Sequence, residues 1–301
     1  MDSIKDISME WLNKKKDYIK QTSCSNYFKI IDKFPDEDKS INIIDNEYLQ
    51  LIINENCKRG KKVKTIKDLL SIYKMILRYS WSKEYSNKFD FDLHYPKEYT
   101  ISKVKKLSSS DSNILRNYLI NNLTLKNYCI LLCMATGLRI GEICALQVKD
   151  VNLNENTINI VKTITRTYCS DMEKTEVIIT KPKTESSYRT VPLANFCKNI
   201  FKKNYIHNDE EDYLLSGSLK PIEPRNFRRY YDDLIKKLKI EKVNFHGLRH
   251  GFASNMIESG ADVKTLSVIL GHSNVTTTMD LYVHPSNKQK KNGVEKMWKS
   301  I

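Results

Sequence analysis

The sequence predicts a mainly α protein with a small antiparallel β-sheet, arranged as two domains. Three observations carry this. The chain has 301 residues, a length that suits roughly two domains. From the N-terminus to about Lys88, apolar residues recur at helical spacing with no alternating pattern among them. Alternation of β-branched residues is confined to a short central stretch between Thr157 and Leu193.

Hydrophobic residues make up 40% of the chain, enough for real cores, and no stretch approaches the ~20 apolar residues of a membrane span. The start, Met-Asp-Ser-Ile-Lys-Asp, lacks the basic-then-apolar order of a secretory signal, so a cytoplasmic location is expected. The seven cysteines (Cys24, Cys57, Cys129, Cys133, Cys144, Cys169 and Cys197) include no Cys-x-x-Cys and read as reduced thiols. The net charge is +14, divided as +3 over residues 1–100 and +11 over the remainder, which favours a polyanionic partner for the C-terminal two thirds.

Residues 8–20 and 25–34 read as short amphipathic helices, each begun by a serine cap. Asp45 caps a third helix, running through Leu49, Ile52 and Ile53 to a stop at Lys58-Arg59-Gly60. A fourth starts near Thr65, with Ile66, Leu69, Leu70, Tyr73, Ile76, Leu77 and Trp81 at helical spacing. Between the last two lies a basic turn that carries Lys58, Arg59, Lys61, Lys62, Lys64 and Lys67 into a helix start. Free amides at a helix N-terminus, flanked by lysines, suit a DNA phosphate. The domains are expected at 1–90, a helical DNA-binding domain, and 108–285, a mixed α/β domain, with a linker over 91–107 and a tail over 286–301.

In the second domain Ser108 caps a first helix, and an apolar helix over 124–136 is ended by Gly137. Arg139 follows at a helix–turn–helix corner beside this buried run. A buried arginine needs a partner, either Glu142 or an anion from outside. Strands are expected at 157–161, 177–180 and 188–193, with Lys181 and Lys183 in the turn joining the last two. A helix over 194–207 precedes one beginning near Pro221, in which Arg225, Arg228 and Arg229 share a face that suits a DNA groove or its phosphates.

The stretch from Asn244 to Tyr282 gathers His246, Arg249, His250, His272 and Tyr282. His246 and His250 have the i, i+4 spacing of zinc ligands on a helix. Zinc is nevertheless disfavoured: a zincin needs glutamate directly after the first histidine, where Gly247 stands, and Arg249 would set a fixed cation beside the metal. Imidazole and guanidinium together suit an anion with non-bridging oxygens.

With Thr136-Gly-Leu-Arg139-x-x-Glu142 and the hairpin lysine upstream, His246-x-x-Arg249, Leu270-Gly-His272 and Tyr282 in order, the chain resembles the tyrosine recombinase (phage integrase) family over nearly its whole length. The resemblance implies a helical core-binding domain and a catalytic domain of the tyrosine recombinase type. Tyr282 would attack the scissile phosphate to give a 3′-phosphotyrosyl link and a free 5′-hydroxyl. Arg139 and Arg249 would hold the non-bridging oxygens, with Glu142 orienting Arg139. Lys183 would be general acid for the leaving 5′-oxygen, although Lys181 also lies in the hairpin. His246 and His272 would donate hydrogen bonds to the phosphate, His246 also helping to deprotonate the tyrosine. No metal or other cofactor is implied. Gly251 departs from the threonine common in the family.

The resemblance further implies site-specific recombination at core sites in double-stranded DNA, for integration or excision of a mobile element or for resolution of chromosome or plasmid dimers. It also implies a tetramer on DNA, with the tail docked on a neighbouring protomer and accessory DNA-bending proteins as possible partners. The N-terminal arm-binding domain of larger integrases is not evident here. The alternatives are a catalytically weak DNA-binding accessory protein, or nicking and closing of the topoisomerase IB kind.

Overall fold

The computed structural model describes residues 3–97, 105–168, 174–181, 185–205, 207–282, 291, 294–295 and 297–299. Lys183, Cys169 and most of the tail lie outside these described residues. By internal packing the chain divides into two units, Met1–Ser102 with Arg166–Glu176, and Lys103–Thr165 with Val177–Ile301.

In the first unit, helix α1 (Ile4–Lys15) begins ahead of the expected residue 8 because Ser3 is its cap, its hydroxyl accepting from the Asp6 amide at 3.1 Å. Ser8 is buried inside the helix instead of capping it. Helix α2 (Gln21–Ile31) has Lys20 at its N-cap, not a serine. Asp45 caps α3 (Asn46–Lys58) as expected, accepting from the Tyr48 amide at 2.8 Å. Helix α4 (Val63–Ser82) lays Ile66, Leu70, Tyr73 and Leu77 into the core, where Phe34 stacks on Tyr73 with centroids 3.9 Å apart.

The chain beyond α4 has no regular secondary structure as far as Lys97, yet it is tied to α3. Asn46 and Gln50, one helical turn apart, present amides that mimic a neighbouring strand. Asn46 donates to the Asp90 carbonyl at 2.8 Å and accepts from the Asp92 amide at 3.0 Å. Gln50 donates to the His94 carbonyl at 3.1 Å and accepts from the same residue's amide at 2.9 Å. Phe89 and Phe91 close around Trp81. The early part of the expected linker thus helps to cover the first core.

In the second unit, Ser108 caps α5 (Ser109–Asn121), and Thr124 caps α6 (Leu125–Thr136). Gly137, left-handed at φ 68°, ends α6 and turns the chain into α7 (Ile140–Ala145). The strands are β1 (Val151–Asn152), β2 (Thr157–Ile160), β3 (Thr163–Tyr168), β4 (Thr175–Thr180) and β5 (Arg189–Pro192), of which the end of β3 from Arg166 and the start of β4 through Glu176 group with the first unit. A three-stranded antiparallel sheet has the order β1-β2-β5, placing Ile158 opposite Val191 and Ile160 opposite Arg189; β3 and β4 form a separate two-stranded sheet. Strand β3 was not among the expected strands.

Five helices complete the unit: α8 (Asn195–Tyr205), α9 (Pro224–Lys237), α10 (His246–Glu258), α11 (Val263–Leu270) and α12 (Val275–Tyr282). Cys129, Ile130, Leu132 and Cys133 of α6 are fully buried at the centre of its core. Burial pushes the Cys133 thiol well above its ordinary pKa, which marks an inert packing group. A smaller cluster joins Ala253, Leu266, Leu270 and Tyr282, and it is this cluster that seats α12 against α10 and α11. Among the described residues no helix is long and apolar enough to cross a membrane.

Candidate active site

The site is built around the C-terminal end of α11. A helix ends in carbonyls without intrahelical partners and in the negative pole of its dipole. Here three successive carbonyls each receive a different arginine. Arg189 Nε donates to Ile269 at 2.6 Å, Arg249 Nη2 to Leu270 at 2.6 Å, and Arg139 Nη2 to Gly271 at 3.2 Å. Gly271 itself is left-handed at φ 65°, and a Cβ there would meet Arg189 Cδ and the Ser186 carbonyl oxygen, each at 3.0 Å. Only glycine fits both the turn and the approach.

Glu142 ties the first turn of α7 to this cluster. It accepts from Arg139 Nη1 at 2.7 Å and from the Arg139 amide at 2.8 Å, and from Arg189 Nη1 at 3.0 Å and Nη2 at 2.9 Å. Burial alone would raise its pKa, but the Arg189 hydrogen bonds and the charges of Arg189 and Arg139 outweigh burial and hold it down to about 2. The partner of Arg139 is therefore Glu142. The Arg139 side chain remains 36% exposed, so part of its donor fork faces outward. Arg249, 2% exposed, also donates through Nη1 to the Gly137 carbonyl at 2.9 Å. Burial, with Arg139 nearby, lowers its pKa to about 9, still cationic at neutral pH.

The histidines and the tyrosine stand beside these cations. His272, just past the α11 cap, pairs its Nδ1 with Thr278 Oγ1 at 2.8 Å, and burial with Arg249 lowers its pKa to about 4. His246, at the start of α10, reaches solvent; partial desolvation with Arg249 and Arg139 lowers its pKa. It meets His250 edge-on at 4.5 Å between ring centroids. The Tyr282 hydroxyl pairs with His250 Nδ1 at 2.6 Å. Burial raises the tyrosine pKa, while Arg249 and Arg139 pull it back.

Arg139, Glu142, His246, Arg249, His272 and Tyr282 are thus brought into one cluster. Lys183 lies outside the described residues, and Lys181 is exposed at the end of β4. A third lysine, Lys162, sits between β2 and β3, hydrogen-bonded to Gln147 and 3.9 Å from Asp150, and lines a recess with Glu142. Lys58, Arg59, Lys61, Lys62, Lys64 and Lys67 are all exposed around the α3–α4 turn, with Arg59 paired to Glu55 at 3.3 Å and Lys67 over the Tyr95 ring. Arg225, Arg228 and Arg229 are exposed on α9, and among the described residues neither Asp232 nor Asp233 pairs with them. Among the described residues no cluster of His, Cys, Asp or Glu could hold a metal.

Arg189 is not anticipated from the sequence, and His250, singled out there beside His246, is given no catalytic role. Both left a signal. Val191 is a core residue two positions from Arg189 in a strand, so Arg189 must also face inward. His250 follows His246 by one helical turn and shares its face.

Residues 102–289, well over half of the chain, match the model of the phage integrase family. The chain belongs to this family. It is thereby a DNA-cleaving and DNA-joining enzyme of the tyrosine recombinase type. Its relatives include a XerC-like tyrosine recombinase of Caldanaerobacter subterraneus, 27% identical over 85% of this chain and 71% of the relative. The integrase of Staphylococcus phage L54a is 27% identical over 91% of this chain and 84% of its own. The Tn916 transposase of Enterococcus faecalis is 28% identical over 66% of this chain and 52% of the relative. The fold matches the Tn1549 transposon integrase, solved in complex with a circular intermediate DNA, at a TM-score of 0.79 with 18% identity, covering 99% of this chain and all of the other. It also matches a lambda integrase dimer bound to a COC′ core site at 0.62 with 14% identity, over 93% of this chain and 97% of the other.

Proposed function

We propose that Tyr282 is the nucleophile of a site-specific recombinase, attacking a DNA phosphodiester to give a 3′-phosphotyrosyl intermediate and a free 5′-hydroxyl. The observation that carries this is the gathering of Arg139 and Arg249 on the end of α11 while α12, packed against α11, holds the Tyr282 hydroxyl at 2.6 Å from His250 of the Arg249 helix. Arg139, whose donor fork is partly exposed, can receive a non-bridging oxygen, and the buried charge of Arg249 behind it helps to offset charge in a pentavalent transition state. The intermediate conserves the phosphodiester energy, so rejoining needs no nucleotide. His272 and His246 donate to the phosphate, and Glu142 orients Arg139.

The acid for the leaving 5′-oxygen is a lysine. Lys183 is the first assignment and Lys181 the second; Lys162, hydrogen-bonded to Gln147 and 3.9 Å from Asp150, is the third to be tested. Alanine substitution of each lysine separates them. Only the true acid should lose cleavage on an ordinary duplex and regain it when the leaving oxygen is replaced by sulfur, which departs without protonation.

DNA is held by the lysines of the α3–α4 turn and by Arg225, Arg228 and Arg229, in a strand-exchanging tetramer with accessory DNA-bending proteins as possible partners. Val294, Met297 and Trp298 are exposed, Trp298 at 71%, and the tail docks on a neighbouring protomer. The test is a nicked duplex that traps the covalent adduct. Absence of an adduct dependent on Tyr282 would remove the enzyme assignment. An adduct without recombinant product from two sites would leave nicking and closing alone.

A further inference from the structure

We propose that His250 is a catalytic residue, the group that takes the phenolic proton as Tyr282 attacks. This rests on the assignment of Tyr282 as nucleophile. In the Nε2–H tautomer, His250 Nδ1 offers a lone pair to the tyrosine hydroxyl 2.6 Å away, within the reach required of a general base.

The contact is part of the packed structure. Tyr282 is 9% exposed and belongs to the buried cluster of Ala253, Leu266 and Leu270 that fastens α12 to α10. The ring cannot swing freely, and bulk water has little access to the hydroxyl. A phenol placed so must pass its proton to a neighbour, and the neighbour in contact is His250. Burial, together with His246 and Arg249, lowers the His250 pKa to about 4, so the imidazole is unprotonated at neutral pH and its lone pair is free. An anionic phosphate seated beside Arg249 offsets that cation, which raises the basicity of His250 when substrate is present. His246, edge-on to His250, is left free to serve the phosphate.

The step balances without any further reactant. Tyr282 Oη forms the bond to phosphorus as the bond from phosphorus to the 5′-oxygen breaks. The Oη proton moves to His250 Nδ1, and the departing oxygen takes a proton from the acid lysine. In rejoining, the 5′-hydroxyl returns its proton to the lysine as it attacks phosphorus, and His250 gives its proton back to the tyrosine.

The test compares Tyr282→Phe, His250→Gln and His250→Asn with the wild-type chain on nicked duplexes carrying either oxygen or sulfur at the leaving 5′-position. Glutamine and asparagine preserve a hydrogen bond to the hydroxyl but lack a basic nitrogen. DNA binding by each variant should be unchanged. Adduct formation by His250→Gln should fall about 10²–10⁴-fold on both substrates, since sulfur relieves only the leaving-group step. His250→Asn carries the same comparison should His250→Gln fail to fold. Cleavage by a folded variant at or above the wild-type rate would overturn the proposal, the first showing a dispensable contact and the second a contact that restrains the tyrosine. Rescue by sulfur would also overturn it, by placing His250 on the leaving-group side. An adduct in Tyr282→Phe would instead overturn the nucleophile assignment, an outcome distinct from the others.

Discussion

Replacing Arg189 with methionine tests whether the site is held together through Glu142. The Glu142 carboxyl is 5% exposed and its pKa lies near 2 instead of 4.5. That difference corresponds to roughly 3 kcal/mol of stability at neutral pH. Because the folded value lies below the unfolded one, the contribution is complete above about pH 4.5 and drains away as pH falls toward about 2. Arg189→Met removes two of the four hydrogen bonds to the carboxylate and leaves a buried charge facing Arg139 alone. The expected cost is about 3–5 kcal/mol at neutral pH. The gap to wild type should narrow by roughly 2 kcal/mol near pH 3, where much of the wild-type advantage has gone. Trp11 and Trp81 lie in the first unit and Trp298 in the tail, so tryptophan fluorescence would miss the effect. Amide-exchange labelling of peptides from α6, α7 and α11 along a urea series, at each pH, reads it directly. A variant within about 1 kcal/mol of wild type at neutral pH, or a gap that does not change with pH, would refute the reasoning.

Gly251 lies inside α10 with open space where a Cβ would stand, so Gly251→Ala should stabilise the protein by about 0.5–1 kcal/mol, measurable as a higher melting temperature with unchanged cleavage. Gly271→Ala should lose about 1–2 kcal/mol from the left-handed backbone alone, and adduct formation should fall with it as Arg189 and the turn are pushed apart. Arg249→Lys retains the charge but cannot serve both the Gly137 and Leu270 carbonyls; single-turnover cleavage should drop by about 10²-fold or more with DNA affinity little altered. Neutralising Lys62 or Arg228 should reduce the salt dependence of DNA binding by about one phosphate contact, and an unchanged slope would take that residue off the DNA surface.

Much of this arrangement was legible in the sequence because it depends on local chemistry. Asp45 and Ser108 cap helices where oxygen-bearing side chains meet apolar periodicity, and Gly137 and Gly271 end helices because left-handed backbone favours glycine. What was not legible depends on distant partners. Arg189 looks like an ordinary polar strand residue until Glu142, 47 positions earlier, is folded against it. His250 gains a role only when α12 brings Tyr282 back across 32 residues. The first helix was placed late because Ser3 and Ser8 have the same capping chemistry, and tertiary burial of Ser8 decides between them.

The arginines on the last carbonyls of α11 also bear on how the protein meets its substrate. Three guanidiniums would repel one another in an empty anion site, and such a site would be expected to stay open until a ligand arrived. Here the helix end, with the Glu142 carboxylate, acts as a resident surrogate for the missing anion, and of the three forks it is the 36% exposed Arg139 that keeps donors facing outward. Folding thus settles the like-charge crowding in advance. DNA then encounters a finished receptor, and the approach of the phosphate need not wait for the cations to gather.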